Sequence, residues 1–341
     1  MTAATVLIPT HSHVAPLAHA IDSVRAQTVT DIEVFVVRDG VGDATRTLVE
    51  SMAADDERIR FFDFPKGERK GELLRHQALQ SATGDIVAYL GDDDYWLPHH
   101  LAVLRDALDD ADFAHTLHVN VDERGGLVAL PADLEHLGFR QRMLDEMVNR
   151  FDLTFAGHTL DAYRRLPHGW RTTPPDFPWT DLYMWRQFLA EPWCRVRSVM
   201  TVTGLCTATH RRPDLTDDER GADLAGWIAR FADGALLDQI ESETIARFAR
   251  DGIATEVEAA SARRQIATLD HTVGELSARL SATEQALAES RADTARAIDH
   301  LHHAQQAMHD VHASHSWRVT APLRALSDLV ARRHRPIEDD S

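Results

Sequence analysis

Ala88-Tyr89-Leu90-Gly91-Asp92-Asp93-Asp94-Tyr95-Trp96-Leu97-Pro98 carries an apolar run into three consecutive carboxylates and then toward a helix start. Adjacent carboxylates repel, so a fold that gathers three of them at the end of a strand needs compensating positive charge, and a hard divalent cation is the usual source. Carboxylate and water oxygens suit Mg²⁺ or Mn²⁺, which one or two protein carboxylates commonly hold together with a substrate diphosphate. The competing reading is an Asp-rich cap, because Pro98 suits the first turn of a helix running through Val103 and Leu108.

Before this stretch, strand and helix alternate. Thr5 to Ile8 is a β-branched run ended by Pro9, and Leu17, Ile21 and Val24 follow at helical spacing. Ile32 to Val37 is a second run, closed by Arg38-Asp39-Gly40. A helix from Ala44 to Met52, a strand from Arg60 to Phe64, a helix from Glu72 to Ser81 and a strand from Ile86 to Leu90 complete the series. This rhythm implies an α/β protein with a parallel sheet and right-handed crossovers, whose ligands bind at the carboxyl ends of the strands. Pro9-Thr10-His11, Asp39-Gly40 and Gly91 to Asp94 all fall at such ends and converge on one crevice. An Asp-Gly pair also suits a plain turn.

In order and spacing, Pro9-Thr10-His11, Ser23 to Thr28, Val36 to Gly40, Arg75 with Ala78, Gly84 to Leu90 and Asp93 to Pro98 resemble the family 2 glycosyltransferases of GT-A fold, closely over about the first 100 residues. The resemblance implies a Rossmann-like nucleotide-sugar-binding sheet, with Pro9, Thr10, His11, Asp39, Gly40, Arg75 and Asp92 on the donor nucleotide. It implies Asp93 and Asp94 on a Mn²⁺ or Mg²⁺ ion. Gly91 stands where the family more often has the first Asp, leaving Asp92 to take its place, and His76 stands where an Asn is common.

Beyond Ala111 the pattern loosens. Phe113 to Val121 alternates as a strand, Gly125-Gly126 marks a turn, and Leu153 to Leu160 and Arg197 to Cys206 suggest further strands. Phe177 to Arg186 resembles the family's acidic catalytic segment, with Thr180 in place of Glu and Asp181 retained. An inverting transferase needs a base on the acceptor side, and Asp181 at a helix N-terminus can supply it. The alternative is that Thr180 or Asp181 caps a helix burying Leu182, Trp185 and Phe188. His210 is a weaker candidate for completing a metal site.

From Thr216 on, Leu224, Trp227, Ile228 and Phe231, then Leu236, Leu237, Ile240, Ile245 and Phe248, form helical stripes closed by Gly252. The period then tightens to a heptad from Ile266, Leu269, Val273, Leu276 and Leu280 to Met308 and Val311, with neither Gly nor Pro between Gly274 and Pro322, predicting a coiled coil and a homodimer. One long surface helix is the alternative. The tail from Ser314 resembles the ends of bacterial polysaccharide-assembly glycosyltransferases. Its Leu323, Leu326 and Val330, ringed by Arg324, Arg332, Arg333 and Arg335, suit a peripheral contact with an anionic membrane or a protein partner. The expected organisation is a GT-A domain over 1–215 (1–110 nucleotide-binding, 111–215 acceptor), a helical extension over 216–254, a coiled coil over 255–315 and a basic amphipathic tail over 316–341.

A chain of 341 residues, 44% apolar, has room for about two domains. Its formal charge of -18 argues against general nucleic-acid binding. Only Lys66 and Lys70 are lysines, which points to no chemistry by itself. Cys194 and Cys206, the only cysteines, are expected to remain thiols in a reducing compartment. With no charged leader and no long apolar stretch, the expectation is a cytoplasmic protein. The expected activity is transfer of a sugar from a UDP- or other nucleotide-sugar to a glycan or lipid-linked acceptor in surface polysaccharide synthesis. The rivals are a nucleotidyltransferase and an inactive scaffold working through its coiled coil.

Overall fold

The structure, a computed structural model, describes residues 2–40, 42–207, 212–232 and 234–333. They divide into two compact units, one up to Arg250 and one from Asp251 on.

The first unit is built on a mixed sheet. Strands β1 (Ala4–Thr10), β2 (Ile32–Asp39), β3 (Ile59–Phe64) and β4 (Ile86–Tyr89) run parallel in the order β3-β2-β1-β4, with helices α1 (Ala15–Arg25), α2 (Asp43–Asp55) and α3 (Glu72–Leu79) as crossovers. The sheet continues through β8 (Ala156–Thr159) and β6 (Phe113–Val121), each antiparallel to its neighbour, with β7 (Leu127–Leu130) and β9 (Val196–Val202) on β6. Because side chains alternate along a strand, β1 feeds two cores. Val6 and Ile8 pack with Leu17, Ile21 and Val24 of α1 on one face. Leu7 packs on the other with Val87, Tyr89 and the aromatic group of Phe113, Trp170 and Trp185. Strands buried on both faces read as nearly continuous apolar runs, which is why β1, β2 and β4 stand out in the sequence.

Several local expectations change. Between Asp94 and α4 (His100–Leu108) lies a two-residue strand, β5 (Tyr95–Trp96), paired with β10 (Gly204–Leu205), so Pro98 precedes the helix rather than opening it. Gln27 bridges this connection, its amide donating to Leu97 O at 2.9 Å and its carbonyl accepting from Leu101 N at 3.0 Å, which ties the acidic loop to α1. The run from Leu153 is a 3-10 turn (Leu153–Phe155) followed by β8, and Leu160 opens α6 (Leu160–Arg165), where the Thr159 hydroxyl accepts from Ala162 N. All nine residues of β6 are buried despite their polar alternation, because β8, β7 and β9 surround that strand.

Helix α8 (Asp217–Ala232) buries Leu224, Trp227 and Phe231, the last two packed with Val119, Val121 and Leu205, together with Leu236 and Ile240. Its Asp217 carboxylate accepts from Val14 N and Ala15 N, capping α1, whose own N-cap residue Val14 offers no side-chain acceptor. Ile245 is exposed rather than packed. Gly252 closes nothing. It lies inside α9 (Ala235–Ala313), because one glycine costs a helix only about 1 kcal/mol, too little to end one 79 residues long.

In the second unit, the rest of α9 carries Ile266, Leu269, Val273, Leu276 and Leu280 exposed along the heptad. Ser314 caps α10 (His315–Val319), accepting from Trp317 N, and α11 (Ala321–Arg333) follows with Leu323 and Leu326 exposed and Arg324 stacked on Trp317 at 3.6 Å. The side chains of Val330, Arg332 and Arg333, and Arg335 altogether, lie outside the described residues. No helix among the described residues is long and apolar enough to cross a membrane.

Candidate active site

A cleft of about 540 Å³ opens at the carboxyl ends of β1, β2 and β4, where an open α/β sheet places its ligands. The loop after β1 holds Asp92. Thr10 Oγ1 donates to its Oδ2 at 2.8 Å, His11 N approaches the same oxygen at 3.3 Å, and His13 Nδ1 is 3.0 Å from Oδ1. That bond to Asp92, reinforced by the charges of Asp92, Asp93 and Asp217, pushes the His13 imidazole up to about 9 against the opposing effect of burial. Ligand atoms of His13, Asp92 and Asp93 lie within 4.8 Å of one another.

Asp94 has a different setting. It accepts from the Thr154 hydroxyl and from Thr207 N at 3.0 Å, and only 4% of it is exposed. Burial first, then Asp93 and Asp152, push its carboxyl well above the usual range. Gly91 matters to this packing, since a Cβ there would stand 2.6 Å from Asp94 Oδ2. None of the three carboxylates caps α4, whose N-cap residue His99 makes no side-chain capping bond. Sequence reasoning paired Asp93 with Asp94 on the ion, whereas the geometry gathers His13, Asp92 and Asp93. Two carboxylates and an imidazole suit a hard divalent cation, provided His13 releases its proton.

Asp39, at the end of β2, pairs with Lys66 and accepts from Gly67 N at 2.6 Å. Gly40 turns the chain at φ +66°, where a Cβ would collide with Lys66 backbone at 2.3 Å, and Gly71 lies against the Asp39 carboxylate at φ +67°. These two glycines let the 66–71 loop close on Asp39. Pro9, Thr10, His11, Asp39 and Arg75 line the cleft, whereas Gly40 does not. Arg75 is buried over the Trp170 ring at 4.7 Å and donates to Lys70 O, with Glu72, Asp181 and Asp39 supporting a charge that burial opposes. His76 instead bonds Tyr163 through Nδ1 at 2.8 Å.

Asp181 enters from α7 (Thr180–Ala190). Its carboxylate accepts from Leu182 N and from Asn149 Nδ2, both at 2.9 Å, and burial with the nearby Asp152 raises its pKa. Neither Thr180 nor Asp181 is the N-cap: that residue is Trp179, which makes no side-chain capping bond. The first turn of α7 instead gives its Leu182 N–H to the Asp181 carboxylate. Sequence reasoning missed His13, Asn149, Asp152, Thr154 and the loop that carries both lysines of the chain, Lys66 and Lys70, to the cleft. The one available signal was that two lysines in 341 residues lie four apart. Arg69 fastens this loop to the segment before α7 by donating to Pro175 O and Phe177 O. His210 lies outside the described residues.

Residues 5–165 match the sequence model of Glycosyl transferase family 2. The chain is 29% identical over 122 residues to the GalNAc(5)-diNAcBac-PP-undecaprenol beta-1,3-glucosyltransferase of Campylobacter jejuni, covering 36% of this chain and 39% of that one. It is 32% identical over 116 residues to the uncharacterized glycosyltransferase alr2836 of Nostoc, covering 33% and 35%. The chain thus spans little more than a third of either relative. Among solved structures, Staphylococcus aureus TarS 1-349 superposes with a TM-score of 0.46 at 16% identity, covering 66% of this chain and 70% of that one. Residues 5–165, a little under half of the chain, thus match Glycosyl transferase family 2 on a mixed α/β sheet, and a long C-terminal helix follows.

Proposed function

We propose that this chain is an inverting, metal-dependent glycosyltransferase that moves a sugar from a nucleotide-sugar to a glycan or lipid-linked acceptor in cell-surface polysaccharide synthesis. The observation that carries the reading is one cleft lined by the His13, Asp92 and Asp93 group, by Asp39 with its lysine loop, and by Asp181. Asp39 and the loop after β1 hold the nucleoside. Lys66 and Lys70 bring positive charge to the phosphates, and Asp92 and Asp93, with His13 once deprotonated, hold Mn²⁺ or Mg²⁺. When bound, the ion neutralises charge on the leaving diphosphate. Asp181, its pKa raised toward the working range of a general base, takes the proton of the acceptor hydroxyl as that oxygen attacks the anomeric carbon from the face opposite the diphosphate. A lipid-linked acceptor is suggested by the name of the Campylobacter relative.

The exposed heptad of α9 supports self-association of two copies as a coiled coil, and the apolar and basic residues of α11 support peripheral membrane contact. A screen of nucleotide-sugar hydrolysis with and without Mn²⁺ tests the proposal. The expected result is metal-stimulated release of one nucleoside diphosphate. Pyrophosphate exchange would indicate a nucleotidyltransferase, and binding without turnover would indicate a scaffold.

A further inference from the structure

His118 on β6, Asp152 before the 3-10 turn and Cys206 after β10 bring an imidazole nitrogen, a carboxylate oxygen and a sulfur together, all within 4.8 Å of one another. Each is held from behind. Cys206 is pinned beside β6 by Cys206 N to Val119 O and Val121 N to Cys206 O, both at 2.9 Å. Asp152 accepts from Thr154 N at 3.0 Å through Oδ1, leaving Oδ2 for the cluster. His118 Nδ1 lies 3.2 Å from the Arg150 carbonyl, a contact that requires the proton on Nδ1 and leaves a lone pair on Nε2. That lone pair faces Asp152 Oδ2 at 3.3 Å, with the Asn120 amide nitrogen 3.4 Å away. The Asn120 amide is the donor now facing Nε2, at a long 3.4 Å, and a cation would take its place.

The geometry points to a second metal site, for a borderline-soft divalent cation of the Zn²⁺ class, formed by His118 Nε2, Asp152 Oδ2 and the Cys206 thiolate. Ligand atoms of a tetrahedral zinc site stand about 3.3–3.7 Å apart by its bond lengths; the imidazole and carboxylate, 3.3 Å apart, already have that spacing, and the sulfur lies within 4.8 Å of both. The backbone carbonyl behind Nδ1 is the kind of partner that fixes the tautomer of a ligating histidine. A sulfur donor selects Zn²⁺ over Mg²⁺ or Mn²⁺, which separates this cluster from the His13, Asp92 and Asp93 group. Binding breaks the S–H bond, forms the metal–sulfur bond and releases the proton to solvent. Asp152 and Cys206 line the cleft, so the fourth coordination position opens into it and takes water.

The inference does not depend on glycosyl transfer, and Co²⁺ serves as the probe. Titration of the full chain in saturating Mg²⁺ should give sulfur-to-cobalt charge-transfer and tetrahedral visible bands that saturate at one Co²⁺ per chain and that Zn²⁺ bleaches. Cys206→Ser should lose the charge-transfer band, Cys194→Ser should keep it, and His118→Gln should bind Co²⁺ about 10–100-fold more weakly. Zn²⁺ should raise the melting temperature of the wild type and not that of Cys206→Ser. A wild type without the charge-transfer band overturns the proposal without recourse to any variant. Persistence of the band in a folded Cys206→Ser overturns it equally.

Discussion

In Asp181→Asn, a carboxylate that accepts from Leu182 N and Asn149 Nδ2, both at 2.9 Å, becomes an amide with one acceptor oxygen for two donors. One hydrogen bond is lost, worth about 1 kcal/mol, and removing a carboxylate whose charge burial disfavours offsets part of that. In a unit of this size about 1 kcal/mol moves the melting temperature by roughly 2–4 °C. Loss of the proton acceptor is a larger effect. General-base catalysis contributes about 10²–10⁴-fold, or roughly 2.7–5.4 kcal/mol of barrier. The variant should therefore melt within a few degrees of the wild type, bind nucleoside diphosphate unchanged and turn over at least about 100-fold more slowly. Because a base works only when deprotonated and Asp181 is shifted upward, wild-type turnover should fall on the acid side at a pH above the ordinary carboxylate range. Melting, calorimetry and transfer on the same preparations decide the matter. Turnover within threefold of wild type would refute the assignment and leave Asp181 a structural residue of the first turn of α7.

Gly91→Ala puts a Cβ 2.6 Å from Asp94 Oδ2 and 3.3 Å from Thr154 Oγ1, so it should destabilise by about 1–3 kcal/mol and loosen metal-dependent nucleotide binding; an unchanged melt and affinity would count against this packing. His115 and His158, buried and lowered from 6.5 to about 4, keep their full contribution above pH 6.5 and lose it as the pH falls toward 4, by up to about 3 kcal/mol each. Urea unfolding at pH 7 and pH 5 should show the lower stability at pH 5, and equal stability would contradict neutral burial. The full chain should scatter light as a dimer and Leu269→Asp/Leu276→Asp as a monomer, whereas a wild-type monomer would rule out the coiled coil.

The parallel half of the sheet could be read from sequence because β1, β2 and β4 are apolar on both faces, and their carboxyl ends bring Thr10, Asp39 and Asp92 to one cleft. Residues whose role depends on where a loop folds back gave no such signal. Lys66 reaches Asp39 only because Gly40 and Gly71 adopt positive φ, and Asp152 and Cys206 meet only because β10 returns beside β6. Gly252 misled for the opposite reason: a local helix-breaking preference was outweighed by the helix around it.

The most direct test of a metal-dependent nucleotide site is calorimetry of a nucleoside diphosphate binding to the wild type and to Asp93→Ala, each with Mn²⁺ and with chelator. Without the ion, the carboxylates of Asp92 and Asp93 repel the phosphates, so wild-type affinity should drop at least tenfold, about 1.4 kcal/mol, and Asp93→Ala should bind weakly in both conditions. Equal wild-type affinity with and without Mn²⁺ would contradict the account at its centre.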